Sequence, residues 1–161
     1  MNPRVETLIH ALQLQPHPEG GYYREIFRSE SIVGADGGRG ERKALTAIYF
    51  LLAAGQHSRW HRVLSDEVWS HLEGGPLALS CFDAGTRKLA IFQLGRYGPG
   101  TEPVRVVPAG VWQAAQPLGE YALVGCYVGP GFEFGDFSMA ADHPDVAAAI
   151  RALGERAGKL V

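Results

Sequence analysis

The segment Gly55-Gln56-His57-Ser58-Arg59-Trp60-His61-Arg62-Val63-Leu64-Ser65-Asp66-Glu67 closes at Gly74. It runs into Glu67-Val68-Trp69-Ser70-His71, and strand side chains alternate in direction. Glu67, Trp69 and His71 therefore project from one face, Val68 and Ser70 from the other. That puts a carboxylate, an indole and an imidazole on one wall. Outward from this segment, short β-rich runs recur between Gly, Pro and Asp: 22–27, 45–52, 67–72, 77–82, 88–94, 104–107, 111–115 and 121–128. Some eight such strands predict a sandwich or barrel. At the start, Asn2 can cap a helix opened by Pro3, with Val5, Leu8, Ile9 and Leu12 on one face, over about 3–14. At the other end Pro144 opens a second helix over about 144–157, with Val146, Ile150 and Leu153 on one face and Gly158 as its stop. The glycine-rich link 33–43 reads as a mobile loop.

The chain has 161 residues, enough for one domain spanning 1–161 with its barrel over about 20–138 and no need of a disulfide. Fifteen basic and 17 acidic residues give a net charge of −2, with no basic cluster to neutralise phosphates, so nucleic acid is not an expected partner. Cys81 and Cys126 lie in apolar runs, as buried inert thiols in a reducing compartment do. The first residues lack an apolar signal core and no window suits a membrane span, so a soluble, cytoplasmic protein is expected.

Two motifs set a resemblance. Gly55, His61, Glu67 and Gly74 fall on G-x5-H-x-H-x3-E-x6-G, the first motif of the cupin superfamily, and Pro108-Ala109-Gly110-Val111-Trp112-Gln113 falls on the middle of the second, P-x-G-x-x-H. Together with PHPEGGYYRE (16–25), TAIYFLL (46–52), SRWHRVLSDEVWSHLEGGPL (58–77), VPAGVWQAA (107–115) and LVGCYVGPGFEFGDF (123–137), they cover about residues 8 to 142. The chain resembles a cupin subfamily of unknown function. The resemblance implies a mainly β fold, the jelly-roll or double-stranded β-helix barrel, with flanking helices and usually a homodimer.

It also implies where ligands would be. Val63 stands where the second histidine of the motif belongs, and Gln113 replaces the last one, so a retained divalent metal would have His61, Glu67 and Gln113; no cofactor is the expectation. Without metal, His61 beside Glu67 is an acid–base arrangement, with Tyr49 as an acid from a neighbouring strand. Trp69, His71, Gln113, Glu19 and Tyr22 are the candidate binding residues, Glu19, Tyr22 and Arg24 lying at the barrel mouth beside Gly20-Gly21. The loop 129–137 either lids the pocket or plugs one end. His10, His17, His57 and His143 read as solvated surface, Trp60 and Trp112 as packing. Three readings follow: an isomerase, epimerase or lyase acting on a small sugar-like or carboxylate metabolite, a non-catalytic small-molecule binder, and a metal-dependent enzyme with an incomplete ligand set.

Overall fold

A computed structural model describes residues 2–161. Thirteen strands, β1 (Gln15–Pro16), β2 (Tyr22–Arg28), β3 (Ile32–Ala35), β4 (Gly40–Lys43), β5 (Thr46–Ala53), β6 (Ser58–Val63), β7 (Asp66–Gly74), β8 (Leu77–Asp83), β9 (Lys88–Leu94), β10 (Val104–Val107), β11 (Trp112–Pro117), β12 (Tyr121–Gly129) and β13 (Phe137–Met139), are flanked by α1 (Pro3–Ala11), α2 (Pro144–Ala152) and α3 (Glu155–Gly158). One sheet has the order β1-β2-β5-β12-β7-β10 and faces a second, β13-β6-β11-β8-β9. From β5 to β12 the chain crosses between the sheets at each step except the β8–β9 hairpin, and all paired strands are antiparallel. This is the jelly roll that the resemblance implies, and it fits the sandwich or barrel that the strand pattern predicts.

The core divides in three. Between the sheets lie Phe50, Leu52, Trp69, Leu79, Leu94 and Val124. On the outer face of the second sheet Trp60, Phe82 and Trp112 meet Ile150, Ala157 and Leu160 of the C-terminal segment. Outside the first sheet, α1 lays Val5 and Leu8 on Leu51 and Leu123.

Several boundaries differ from the sequence reading. The helix expected to reach residue 14 ends at Ala11, and Gln13 takes a left-handed φ of 54°. The C-terminal helix breaks at Gly154, whose φ of 126° no helix accommodates, and resumes as α3. The expected mobile loop at 33–43 is instead the hairpin β3–β4. It holds its place because Arg42 grips Asp136 through Nε–Oδ2 (2.9 Å) and Nη2–Oδ1 (3.0 Å) while Arg39 adds Nη1–Oδ2 (3.0 Å). Asp136 is 3% exposed, and these bonds, Arg42's first, hold its carboxyl below the usual carboxylate range.

Candidate functional site

The two sheets enclose a cavity of about 410 Å³. Its inner end is lined by the buried Glu19, Phe50, His61, Glu67, Trp69 and Cys126, and its mouth by Arg24, Glu25, Arg28, Glu133 and Phe134. Alternation along β5 turns Ile48 and Phe50 inward, and alternation along β6 turns His61 and Val63 inward.

Glu19 arrives from the β1–β2 connection. A Cβ on Gly20 would collide with the His57 carbonyl, and one on Gly21 would lie 2.7 Å from the Leu51 oxygen. Both glycines have positive φ, so only glycine lets this connection press against β5 and β6. The result is a direct contact, Glu19 Oε2 to His61 Nε2 at 3.1 Å, with the Ser58 hydroxyl donating to Glu19 Oε1 at 2.9 Å.

The tautomer of His61 follows from its other nitrogen. Nδ1 lies 2.8 Å from the Arg59 carbonyl, which can only accept, so Nδ1 carries the proton and Nε2 presents a lone pair to Glu19. Burial pushes the Glu19 carboxyl up to about 8, against the pull of the Ser58 bond, so at neutral pH its O–H donates to Nε2. Burial likewise pushes the His61 imidazolium down, opposed by the charge of Glu67. His17 accepts the Glu19 backbone N–H at Nδ1 (3.2 Å), which leaves the proton on Nε2, and burial pushes it down to about 3.

Glu67 is the second buried carboxyl. Gln113 Nε2 donates to its Oε2 at 2.6 Å, and Trp69 Nε1 donates to Gln113 Oε1 at 2.9 Å. Burial, partly offset by the charge of His61, pushes Glu67 up to about 7. Burial, with the charge of Glu67 next, holds the Cys126 thiol far above its ordinary range.

Above the imidazole sits Phe137, stacked on His61 with centroids 5.5 Å apart and planes 26° apart. It follows Asp136 directly, so the Arg39 and Arg42 grip fixes the segment that carries it. Phe132 and Phe134 from the same segment complete an aromatic cover. At the rim Arg28 bonds Glu25 through Nε and Nη2, and Glu133 through Nη1.

The structure thus brings His61, Glu67, Trp69 and Glu19 to the cavity, with Gln113 behind them. It does not bring Tyr49, Tyr22 or His71. Tyr49 alternates outward between Ile48 and Phe50, and packs with Tyr22 against the cluster under α1. His71 follows Trp69 in an unbroken ladder, opposite Val124, but lies one step further along β7 away from Glu67, outside the cavity lining, and its Nε2 lies 3.1 Å from the Gly75 carbonyl. His17, expected at the surface, has a side chain 7% exposed against Tyr23 and Phe50, because the Gly-Gly approach that carries Glu19 inward carries His17 too. His143, also expected at the surface, packs edge-on against Trp112. Cys126 and Phe137 join the site with no motif to mark them, although alternation along Leu123 to Val128 places Cys126 inward with Val124.

His61, Glu67 and Gln113 are not disposed as a metal-ligand set. The Gln113 oxygen is committed to the Trp69 indole, its NH2 faces Glu67, and His61 Nε2 faces Glu19 rather than Glu67. Among the described residues no group of three His, Cys, Asp or Glu converges to hold a metal ion.

A family model described as Cupin superfamily (DUF985) matches residues 6–140. A hypothetical protein from Leishmania major is similar at 34% identity, TM-score 0.78, over 91% of this chain and 96% of that one. A crystal structure of a Shewanella oneidensis protein is similar at 33% identity, TM-score 0.76, over 93% and 96%. Oxalate decarboxylase from Bacillus subtilis shares 18% identity at TM-score 0.59 over 79% of this chain and 30% of that one, a likeness of fold alone. No curated protein matches the chain.

Proposed function

The chain belongs to the cupin superfamily, in the DUF985 family, and from that premise we propose that its barrel binds a small metabolite and moves a proton on it, as in isomerisation or epimerisation at a carbon next to a carbonyl. The observation that carries this reading is the set of proton-handling groups at the inner end of the cavity, Glu67 on one side and the Glu19–His61 pair on the other. A buried carboxyl with pKa about 7 is close to ideal as a base and acid near neutrality. Glu67 in its ionised form takes the proton from carbon, and the Glu19–His61 pair supplies one to the carbonyl oxygen as charge develops there. Gln113 orients Glu67, and the Arg59 carbonyl keeps Nε2 as the basic nitrogen.

Proton exchange tests this whatever the product. Small carbonyl metabolites are incubated with the protein in D2O, and loss of the α-proton signal is followed by NMR. Exchange by the native chain that drops at least about a hundredfold in Glu67→Gln, as removal of a general base predicts, supports the reading. A metabolite that binds yet never exchanges leaves a non-catalytic binder. We further propose a homodimer, supported by the exposed Ile26, Phe27, Ile32, Leu45 and Phe134 around β2 and the β3–β4 hairpin. Sedimentation at twice the chain mass supports it and a single-chain mass removes it. The free, buried Cys81 and Cys126 support a reducing, cytoplasmic setting; no helix of the described residues is long and apolar enough to cross a membrane.

A further inference from the structure

We infer that the ligand enters with an ammonium head, a primary or substituted amine on a carbon body, and that Glu67 is its counter-charge. The inference rests on the cavity being the ligand site and narrows the class of ligand from there: with the ammonium on the carbon next to the carbonyl, Oε1 of Glu67 meets the N–H as the ligand enters and the C–H of that same carbon when the proton moves.

Three observations carry it. First, Glu67 is 6% exposed and lines the cavity, yet Gln113 takes only Oε2, and no N–H among the described residues donates to Oε1. A buried carboxylate oxygen facing a cavity without a strong donor is completed best by a donor that the ligand brings.

Second, no cationic side chain lines the inner end. The two guanidiniums of the lining are at the mouth, where Arg28 is already bound to Glu25 and Glu133. A ligand carboxylate at the inner end would sit beside two carboxyls with nothing to balance it. A cation there meets Glu67, and the Glu19–His61 pair, neutral as a unit, does not oppose it.

Third, the inner end is walled largely by carbon. Ile48, Phe50, Val63 and Trp69 line the cavity with Phe132 and Phe137, and among the buried groups of its inner end the polar partners are Glu67 Oε1, the Nε2–H of His17 and the Glu19–His61 pair, while Gln15, Tyr23, Thr46 and the charged rim complete the lining. A polyol placed at the inner end would bury more hydroxyls than those three partners satisfy. A single charged head on an apolar body matches it, and aromatic rings attract a desolvated cation.

Four probes of similar reach separate the possibilities at pH 7.5: benzylamine, its neutral counterpart benzyl alcohol, the anion benzoate, and ribose. Binding is measured by ligand-observed NMR and calorimetry on the native chain. Benzylamine ahead of benzyl alcohol by about tenfold or more supports the inference, and E67Q should then remove that lead, bringing benzylamine to the level of benzyl alcohol on the same variant. Equal binding of the two overturns the inference, because the cavity would then be recognising only the ring. Benzoate or ribose ahead also overturns it, but leaves the proton-transfer reading standing with another substrate class. No binding by any of the four overturns it together with the cavity as the ligand site. Should E67Q fail to fold, the ranking of the four on the native chain decides alone.

Discussion

Strand β6 has two faces that are buried to the same degree and made of opposite materials. Outward, Trp60 is fully buried beneath the C-terminal segment, its indole donating to the Ala157 carbonyl at 2.9 Å. Inward, His61 is 2% exposed and surrounded by ionisable groups. The neighbouring β11 repeats the division, with Trp112 and Ala114 outward and Gln113 and Ala115 inward. Burial alone therefore does not say what a residue is for. Apolar burial outside the sheet stabilises at about 25 cal/mol per Å², whereas polar burial inside it costs free energy unless every group is bonded. The inner face persists because it is nearly fully bonded, and the Oε1 of Glu67 is the place where the bonding is left to a ligand.

The two faces should differ most at Trp60. Trp60→Ala should cost about 3–5 kcal/mol of stability, the range for emptying a large aromatic site, measured by denaturant unfolding. A loss below about 1 kcal/mol would mean that the outer face is not the stabilising one.

The next effect, about 2 kcal/mol, is a dependence of stability on pH that the inner face alone generates. Glu19 and Glu67 are pushed up to about 8 and about 7, so between roughly pH 6.5 and 8 the native chain holds protons that the unfolded chain has released. Stability must then fall as pH rises through that window. Below it, His17 and His61, both pushed down, are neutral in the native chain but protonate on unfolding, which favours the folded state as pH rises. The two slopes oppose one another down to about pH 4.5, beneath which the histidines lower stability as pH falls, joined by Asp136, Glu73 and Asp83, whose carboxyls are held below the ordinary range in the native chain. Glu19→Gln should flatten the slope above pH 6.5; an unchanged slope would place its source outside the cavity.

The outer architecture and part of the site are legible in the sequence for a common reason, the period of two. Alternation along 67–71 and the apolar runs of β5, β8 and β12 predict which sheet faces are buried, and so a sandwich or barrel; the jelly-roll topology itself is what the resemblance to cupins implies. What alternation cannot see is partnership at a distance. His61 and Glu67 are near in sequence and read as a pair, but the direct partner of His61 is Glu19, brought across 42 positions by two glycines whose positive φ sequence spacing does not encode. Strand proximity suggests Tyr49 only while the alternation that turns it outward goes uncounted. The β3–β4 hairpin reads as a loose glycine-rich link because Arg39 and Arg42 declare themselves only when Asp136 is seen beneath them.

The smallest effect tests the division most closely. His61→Gln keeps a side chain with both a donor and an acceptor in roughly the same space, so Glu19 need not lose its partner, and stability should change by less than about 1 kcal/mol. His61→Leu keeps the burial but removes the acceptor, leaving the Glu19 O–H unpaired inside the barrel at a further cost of about 1–3 kcal/mol. On the outer face the preference runs the other way, toward hydrocarbon. If unfolding experiments found Gln and Leu equally tolerated at position 61, hydrogen bonding would not be what holds the inner groups in place, and the two faces of β6 would be a single kind of core. A clear gap between the two variants, with α-proton exchange lost in both, assigns the imidazole to chemistry and its hydrogen bonds to the fold.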